Sequence, residues 1–248
     1  MRDDSSHRAS VAGGDAGRPS ISVFFPCHNE AATVEALVRK TIEVLGRIAS
    51  DYEVIVVDDG STDETGAIAD RLAAELPAVK VVHHPTNLGY GAALQSGFRA
   101  ATKELVFYTD GDAQFDVEEL KDILPLIEQC DIVSCYRLNR QEGWRRRLSG
   151  FCWSKLVGLV FGMRLRDVDC AFKLYRREIF DRIVMRSSGA LIDAEILARA
   201  KRRGYTIGQA GVRHYPRRAG RSTGGDLRVI LKAFKELLRL RSDIVRGA

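Results

Sequence analysis

Leu105-Val106-Phe107-Tyr108-Thr109-Asp110-Gly111-Asp112-Ala113-Gln114-Phe115 joins an unbroken apolar run to a pair of acids. Apolar residues without polar alternation mark a strand buried on both faces, as in a parallel sheet covered by helices. The two carboxylates stand two positions apart where the run ends, and the amide of Gln114 follows at the same spacing. Three oxygen ligands at alternate positions suit a hard divalent cation such as Mg²⁺ or Mn²⁺, which keeps open positions for phosphate oxygens. A capped turn before a helix starting at Val117 would use the same residues. The apolar stretch Phe107-Tyr108-Thr109, which carries the acids to the end of a sheet, favours the ligand reading.

The same unit recurs on either side. Ile21–Phe25, Glu53–Val57, Val79–His83 and Ile132–Cys135 are short apolar or β-branched runs. Between them, helical spacing covers Glu30–Ile48, Asp63–Leu76, Gly89–Ala101 and Val117–Glu128. This alternation predicts an α/β fold: a single domain with a mostly parallel central sheet flanked by helices. Ligands of such sheets gather at the carboxyl ends of the strands. Polar clusters follow three of the strands, at 26–30, 58–61 and 110–114, and all would face that edge. Asp58-Asp59-Gly60-Ser61-Thr62-Asp63 has two compatible readings: a loop that caps the next helix, and an acid that accepts from the N–H edge of a nucleobase. Asn87-Leu88-Gly89-Tyr90-Gly91 opens a helix that could meet an anion, but it is neither a dinucleotide fingerprint nor a P-loop. His83, His84 and His214 read as ordinary strand-end residues.

Beyond residue 136 the rhythm breaks. An arginine-rich loop spans Arg137–Arg147, and an apolar helical stretch runs from Leu148 to Met163. Asp167–Arg177 mixes acids, aromatics and bases, Leu191–Arg203 is helical, and Thr206–His214 is a strand. A last helix follows Gly224, with an apolar stripe from Leu227 to Val245 and basic residues opposite. The domain reading is therefore a polar tail over 1–19, a body over 20–223 and an amphipathic helix over 224–248. Within the body, 20–116 form a nucleotide and metal half and 117–223 an acceptor half.

Charge divides along the same line. The net +5 combines 11 basic and 21 acidic residues in 1–124 with 27 basic and 12 acidic residues in 125–248. A basic half suits phosphates. Its arginine runs lack the interleaved aromatics that stack bases, so nucleic acid is not the expected partner. Five cysteines without CxxC spacing argue for reduced thiols and against a zinc site or disulfide framework. The tail has no apolar core of a signal peptide, and no uninterrupted apolar run reaches membrane-spanning length. Arg199–Arg203 reads as a solvated face. Arg145–Arg147 stand directly before the apolar 148–163 stretch, the pattern either of an interfacial membrane helix or of a helix covering the sheet.

Ser22-Val23-Phe24-Phe25-Pro26-Cys27-His28-Asn29-Glu30, Val56-Val57-Asp58-Asp59-Gly60-Ser61-Thr62-Asp63, Asn87-Leu88-Gly89 and Asp110-Gly111-Asp112-Ala113-Gln114-Phe115 together resemble the family-2 glycosyltransferases of GT-A (Rossmann-like) fold. Residues 130–223 further resemble that family's polyprenyl-phosphate branch, the dolichyl-phosphate mannosyltransferase-like enzymes. The matching segments are Tyr136-Arg137, Arg146-Arg147-Leu148, Asp167 ahead of Cys170-Ala171-Phe172-Lys173, Glu195-Ile196-Leu197 and Arg217 to Ser222. Ala171 stands where the branch usually has glycine, and Thr223 where it has a basic residue.

The resemblance implies a metal-dependent, inverting transfer of a sugar from a nucleotide sugar, GDP-mannose or a UDP-sugar, to a polyprenyl or dolichyl phosphate. It places Pro26, Asn29, Glu30, Asp58, Asp59, Asp110 and Arg217 around the nucleotide sugar. Asp110, Asp112 and Gln114 would hold Mg²⁺ or Mn²⁺, and Arg137, Arg146 and Arg217 would meet acceptor phosphate. Asp112, Arg137 and Glu195 are the candidate catalytic residues, with Asp193 a second candidate base. A lipid phosphate is already anionic and needs no base, whereas a hydroxyl acceptor in cell-surface glycan synthesis, the alternative, would need one. The expected setting is the cytoplasmic face of a membrane. The chain would be held there peripherally through 148–163 or the C-terminal helix, an integral membrane partner being a further candidate.

Overall fold

The computed structural model describes residues 17–138, 144–216 and 236–244, with the side chains of 144–147 excepted. The tail reading over 1–16, Arg217 and most of the 224–248 helix lie outside the described residues, as does the side chain of Arg146.

Four parallel strands carry the half whose pattern is clearest: β1 (Ser20–Cys27), β2 (Asp51–Asp58), β3 (Val79–His83) and β4 (Leu105–Thr109). Their connections are α1 (Val34–Ile48), α2 (Thr65–Glu75) and α3 (Tyr90–Ala100). Ile21, Val23, Phe24 and Phe25 of β1 and all five residues of β4 are buried, as unalternated apolar runs require. α3 lies close over β1 because Gly97 has no side chain: a Cβ there would come within 2.2 Å of the Phe24 ring. Phe24, Phe98 and Tyr108 pack ring on ring in the space so created.

The second half adds β5 (Ile132–Ser134), β6 (Tyr136–Leu138), α5 (Trp144–Phe161), β7 (Phe172–Arg176), α6 (Ile179–Arg182), α7 (Ile192–Arg202), β8 (Ile207–Gly208) and β9 (Gly211–Arg213). The main sheet has the order β3-β2-β1-β4-β7-β5-β8, and β6 pairs with β9 in a small second sheet. Three segments depart from the sequence expectations. First, Asp167–Arg177 contains a central strand, β7, antiparallel to both β4 and β5. Its pattern hides it, because Lys173 interrupts the apolar run yet is completely buried. Second, Val117–Glu128 is three short pieces: a 3₁₀ turn (Val117–Glu119), the four-residue helix α4 (Leu120–Ile123) and a second 3₁₀ turn (Leu124–Glu128). Pro125, which has no N–H to donate, stands where the last piece begins. Third, Thr206–His214 divides into β8 on the main sheet and β9 on the small one.

One buried carboxylate ties the outer edges of this frame together. Glu53 on β2 accepts from Ser22 Oγ at 2.6 Å, Lys80 Nζ at 2.6 Å and Thr102 N at 2.7 Å. Burial alone would raise its pKa, but the bonds from Lys80, Ser22 and Thr102 outweigh that and bring it from 4.5 down to about 2. Ionised Glu53 thus stabilises the folded chain above pH 4.5, and that contribution is lost as the pH falls from there towards 2. Melting temperatures measured across this window should fall in the wild type. In Glu53→Gln they should start lower at neutral pH and slope less; an unchanged slope would remove the assigned role.

Candidate active site

The parallel register brings the three polar clusters to one edge. Cys27 lies opposite Asp58, and Phe24 opposite Tyr108, so the loops after β1, β2 and β4 emerge side by side. They are laced by side chains. Thr33 Oγ1 donates to the carbonyl of Gly111 at 2.7 Å. Asn29, in a left-handed conformation (φ 59°), accepts from Thr62 N at 2.8 Å and donates its own N–H to Ser61 Oγ at 3.0 Å. The backbone N–H of Glu30 donates to Thr65 Oγ1. Pro26 lies in β1, and its carbonyl accepts from Gly111 N. Pro26, Asn29 and Glu30 therefore stand at the strand edge shared with the loops after β2 and β4.

The Asp58–Asp59 pair is held by loop N–H groups and two histidines and does not cap α2. Asp58 accepts from Ser61 N at 3.0 Å and contacts His83 Nδ1 at 3.0 Å. Burial pushes its pKa up, and Ser61 and His83 more than reverse this. Asp59 accepts from Leu88 N at 2.9 Å and Gly89 N at 3.0 Å, and it contacts His84 Nδ1 at 2.7 Å. Both oxygens of Asp59 thus brace the loop that opens α3. His83 and His84 have specific partners among the site acids, which their place at a strand end does not disclose.

Asp110 and Asp112 follow β4. One oxygen of Asp110, Oδ1, is fully enclosed and has no hydrogen-bond partner. Burial first, and then the neighbouring Asp112, raise the Asp110 pKa to about 7. Asp112 Oδ1 accepts from Gln114 N at 3.0 Å across a turn in which Ala113 is left-handed (φ 56°). Gln114 donates through Nε2 to the carbonyl of Tyr215 at 3.0 Å, which turns its amide oxygen the other way. An enclosed carboxylate oxygen without a donor, beside a second carboxylate, fits a hard divalent cation. Among the described residues no group of three or more His, Cys, Asp or Glu gathers to hold a metal. Asp110 and Asp112, with the Gln114 amide, are the oxygen-bearing groups at this strand end that could take part in holding one. His214, one residue beyond β9, is brought to the same edge and packs on Phe115 with ring centroids 5.2 Å apart.

On the acceptor side, Arg137 grips Asp167 through two bonds, Nε at 2.7 Å and Nη2 at 2.9 Å. Arg146 belongs to α5. Glu195 does not offer the open face that a base needs. It is completely enclosed and accepts from Arg186 N at 3.0 Å, Ser187 N at 2.7 Å and Arg199 Nε at 2.8 Å. The carboxylate offered as a base is instead the clasp of the 186–187 loop, which in turn receives Gly91 N on the carbonyl of Ser188. Asp193 is also engaged, by the Tyr108 hydroxyl and by Lys173 Nζ at 2.7 Å.

A mostly parallel α/β sheet whose polar loops converge on one edge, extended by a mixed second half, is the architecture of the GT-A fold. The model of the glycosyl transferase family 2 matches residues 22–184. The chain belongs to that family. It is 32% identical over 240 residues to glycosyltransferase AglD of Haloferax volcanii, covering 91% of this chain and 36% of that one. It is 30% identical over 227 residues to dodecaprenyl-phosphate galacturonate synthase of Rhizobium johnstonii, covering 90% of this chain and 65% of the relative. With undecaprenyl-phosphate 4-deoxy-4-formamido-L-arabinose transferase of Sodalis glossinidius it shares 32% over 164 residues, or 65% and 50% of the two chains. The chain thus spans between about a third and two-thirds of these relatives. Among solved structures, glucosyl-3-phosphoglycerate synthase from Mycobacterium tuberculosis with uridine diphosphate superposes with a TM-score of 0.67 at 20% identity, over 91% of this chain and 80% of that one. The same enzyme with Mn²⁺, uridine diphosphate and glucosyl-3-phosphoglycerate gives 0.65 at 18%, over 92% and 77%.

Proposed function

We propose that the chain transfers a sugar from a nucleotide sugar, a UDP-sugar or GDP-mannose, to a polyprenyl phosphate. The observation that carries this reading is the state of the two candidate bases. Asp193 and Glu195, which a hydroxyl acceptor would call upon, are both enclosed and occupied by protein donors. An acceptor that is already an anion needs neither. It needs positive charge, and the second half of the chain supplies it through arginines suited to bidentate phosphate contact. Two of the relatives are named for undecaprenyl- and dodecaprenyl-phosphate, which agrees. Asp110, Asp112 and Gln114 would hold Mg²⁺ or Mn²⁺, which neutralises charge growing on the departing diphosphate. The loops carrying Asn29, Glu30 and Asp59 would orient the nucleoside, and Arg137 would align the acceptor phosphate for a single displacement with inversion.

Incubation with labelled nucleotide sugars, Mg²⁺ or Mn²⁺ and a polyprenyl phosphate should carry label into an organic extract. Label that stays in water with every donor, while glycan acceptors become labelled, would replace this reading with the hydroxyl-acceptor one.

A lipid acceptor also requires an approach to the bilayer. No helix among the described residues is long and apolar enough to cross a membrane. Of the two candidate contacts, residues 236–244 turn Leu237, Leu240 and Ile244 into the core. α5 instead leaves Leu148 (54%), Phe151 (55%) and Leu159 (83%) exposed along one stripe, with Lys155 Nζ 5.4 Å from the Phe151 ring. Apolar side chains flanked by a cation suit the headgroup boundary of an anionic bilayer. Phe151→Glu should lower co-sedimentation with phosphatidylcholine–phosphatidylglycerol vesicles several-fold and leave nucleotide binding unchanged. Equal co-sedimentation would remove α5 from the contact.

A further inference from the structure

Three acids and two cations meet where the chain enters β7. Phe172, the first residue of β7, pairs with Thr109, the last of β4, so residues 167–171 run along the ligand edge directly beside Asp110. Arg137 pairs with Asp167, and Lys173 with Asp193. Asp169 lies among these four groups and forms no ion pair within the described residues. Its Oδ1 accepts a single bond, from the Trp153 indole N–H at 3.3 Å. Asp169 is only partly buried, so its carboxylate keeps some access. Burial, followed by repulsion from Asp193 and Asp167, raises its pKa to about 6. A half-buried carboxylate with no ion pair among the described residues costs stability.

Ligand chemistry narrows its purpose. In the proposed reaction, on which this inference rests, both ends of the reacting assembly are phosphates, which a carboxylate repels. Hydroxyl donors come from the ribose, which the loops after β1 and β2 would hold, and from the transferred sugar, which would stand nearer the end of β4. A site built to accept from a hydroxyl discriminates strongly against sugars that lack it or place it elsewhere, because its own acceptor is then left unpaired. We infer that Asp169 accepts a hydroxyl of the transferred sugar and sets which sugar the chain will use.

Binding without acceptor tests this directly. Calorimetry with UDP-glucose, UDP-galacturonate and GDP-mannose, each beside its parent nucleoside diphosphate and with Mg²⁺ present, identifies the sugar that the wild type prefers. Asp169→Asn should weaken that nucleotide sugar by about 10- to 100-fold. The parent diphosphate should bind as before, and the melting temperature should be equal or higher because a half-buried charge is gone. Asp169→Glu, which keeps the charge but displaces it, should alter the ranking of sugars. Unchanged affinity and ranking in a normally melting variant would overturn the inference, as would equal weakening of sugar nucleotide and diphosphate. Lost turnover with intact affinity would identify a base and overturn it too. A wild-type chain that binds neither the parent diphosphates nor any of the three nucleotide sugars would overturn the function reading itself, and this inference with it.

Discussion

Asp112→Asn is expected to abolish transfer, with turnover down by about three orders of magnitude or more. The substitution isolates charge from shape. Asp112 is buried and its Oδ1 accepts from Gln114 N, a bond that the amide oxygen of asparagine can replace. The turn over Ala113 and the placement of Gln114 should therefore survive. What disappears is one of the two carboxylates that would hold a divalent cation at the end of β4. Asp110, whose pKa is raised by burial and by Asp112, then ionises more readily, but a single carboxylate holds such a cation poorly. Transfer rates at saturating nucleotide sugar, together with Mn²⁺ binding followed by electron paramagnetic resonance, check both halves of the expectation. Near-wild-type turnover with normal Mn²⁺ binding would mean that the cation is held elsewhere.

Lys173→Met is expected to destabilise the fold by about 3–5 kcal/mol, a large share of the roughly 5–15 kcal/mol available to a domain. Lys173 is completely buried in the central strand β7. Its ammonium donates to Asp193 at 2.7 Å, to the carbonyl of Cys170 at 2.6 Å and to the Tyr108 hydroxyl at 3.1 Å. Methionine fills similar volume but leaves the Asp193 carboxylate enclosed with only Tyr108 as partner. The double change Lys173→Met with Asp193→Leu removes both charges and should recover most of the loss, since a buried pair contributes little against well-packed apolar residues. Urea midpoints for the two variants measure this. A loss below about 1 kcal/mol in the single variant would show that Asp193 finds another donor.

Local pattern made the first half of the chain legible. An apolar run without alternation can only be covered on both faces, and helical spacing between such runs leaves a parallel sheet as the outcome, so β1 to β4 and their polar ends follow from sequence. The same rule failed at β7. Lys173 is tolerated inside a sheet because Asp193, twenty residues further on, meets it across the fold, with the Cys170 carbonyl and the Tyr108 hydroxyl as further acceptors. No window of neighbouring residues contains that information.

The acids and arginines show the same division. Sequence alone determined the fold class, the edge at which the polar clusters converge and the separation of an acidic half from a basic one, because spacing and composition are local properties. Which charge meets which partner was decided by strand order and register. These turned His83 and His84 onto Asp58 and Asp59, closed Arg137 onto Asp167 and spent Glu195 on a loop and Arg199. They also left Asp169, near the end of β4, with no ion pair among the described residues. Compensation of charge in a protein interior depends on distances across the sheet, and only the folded chain sets those distances.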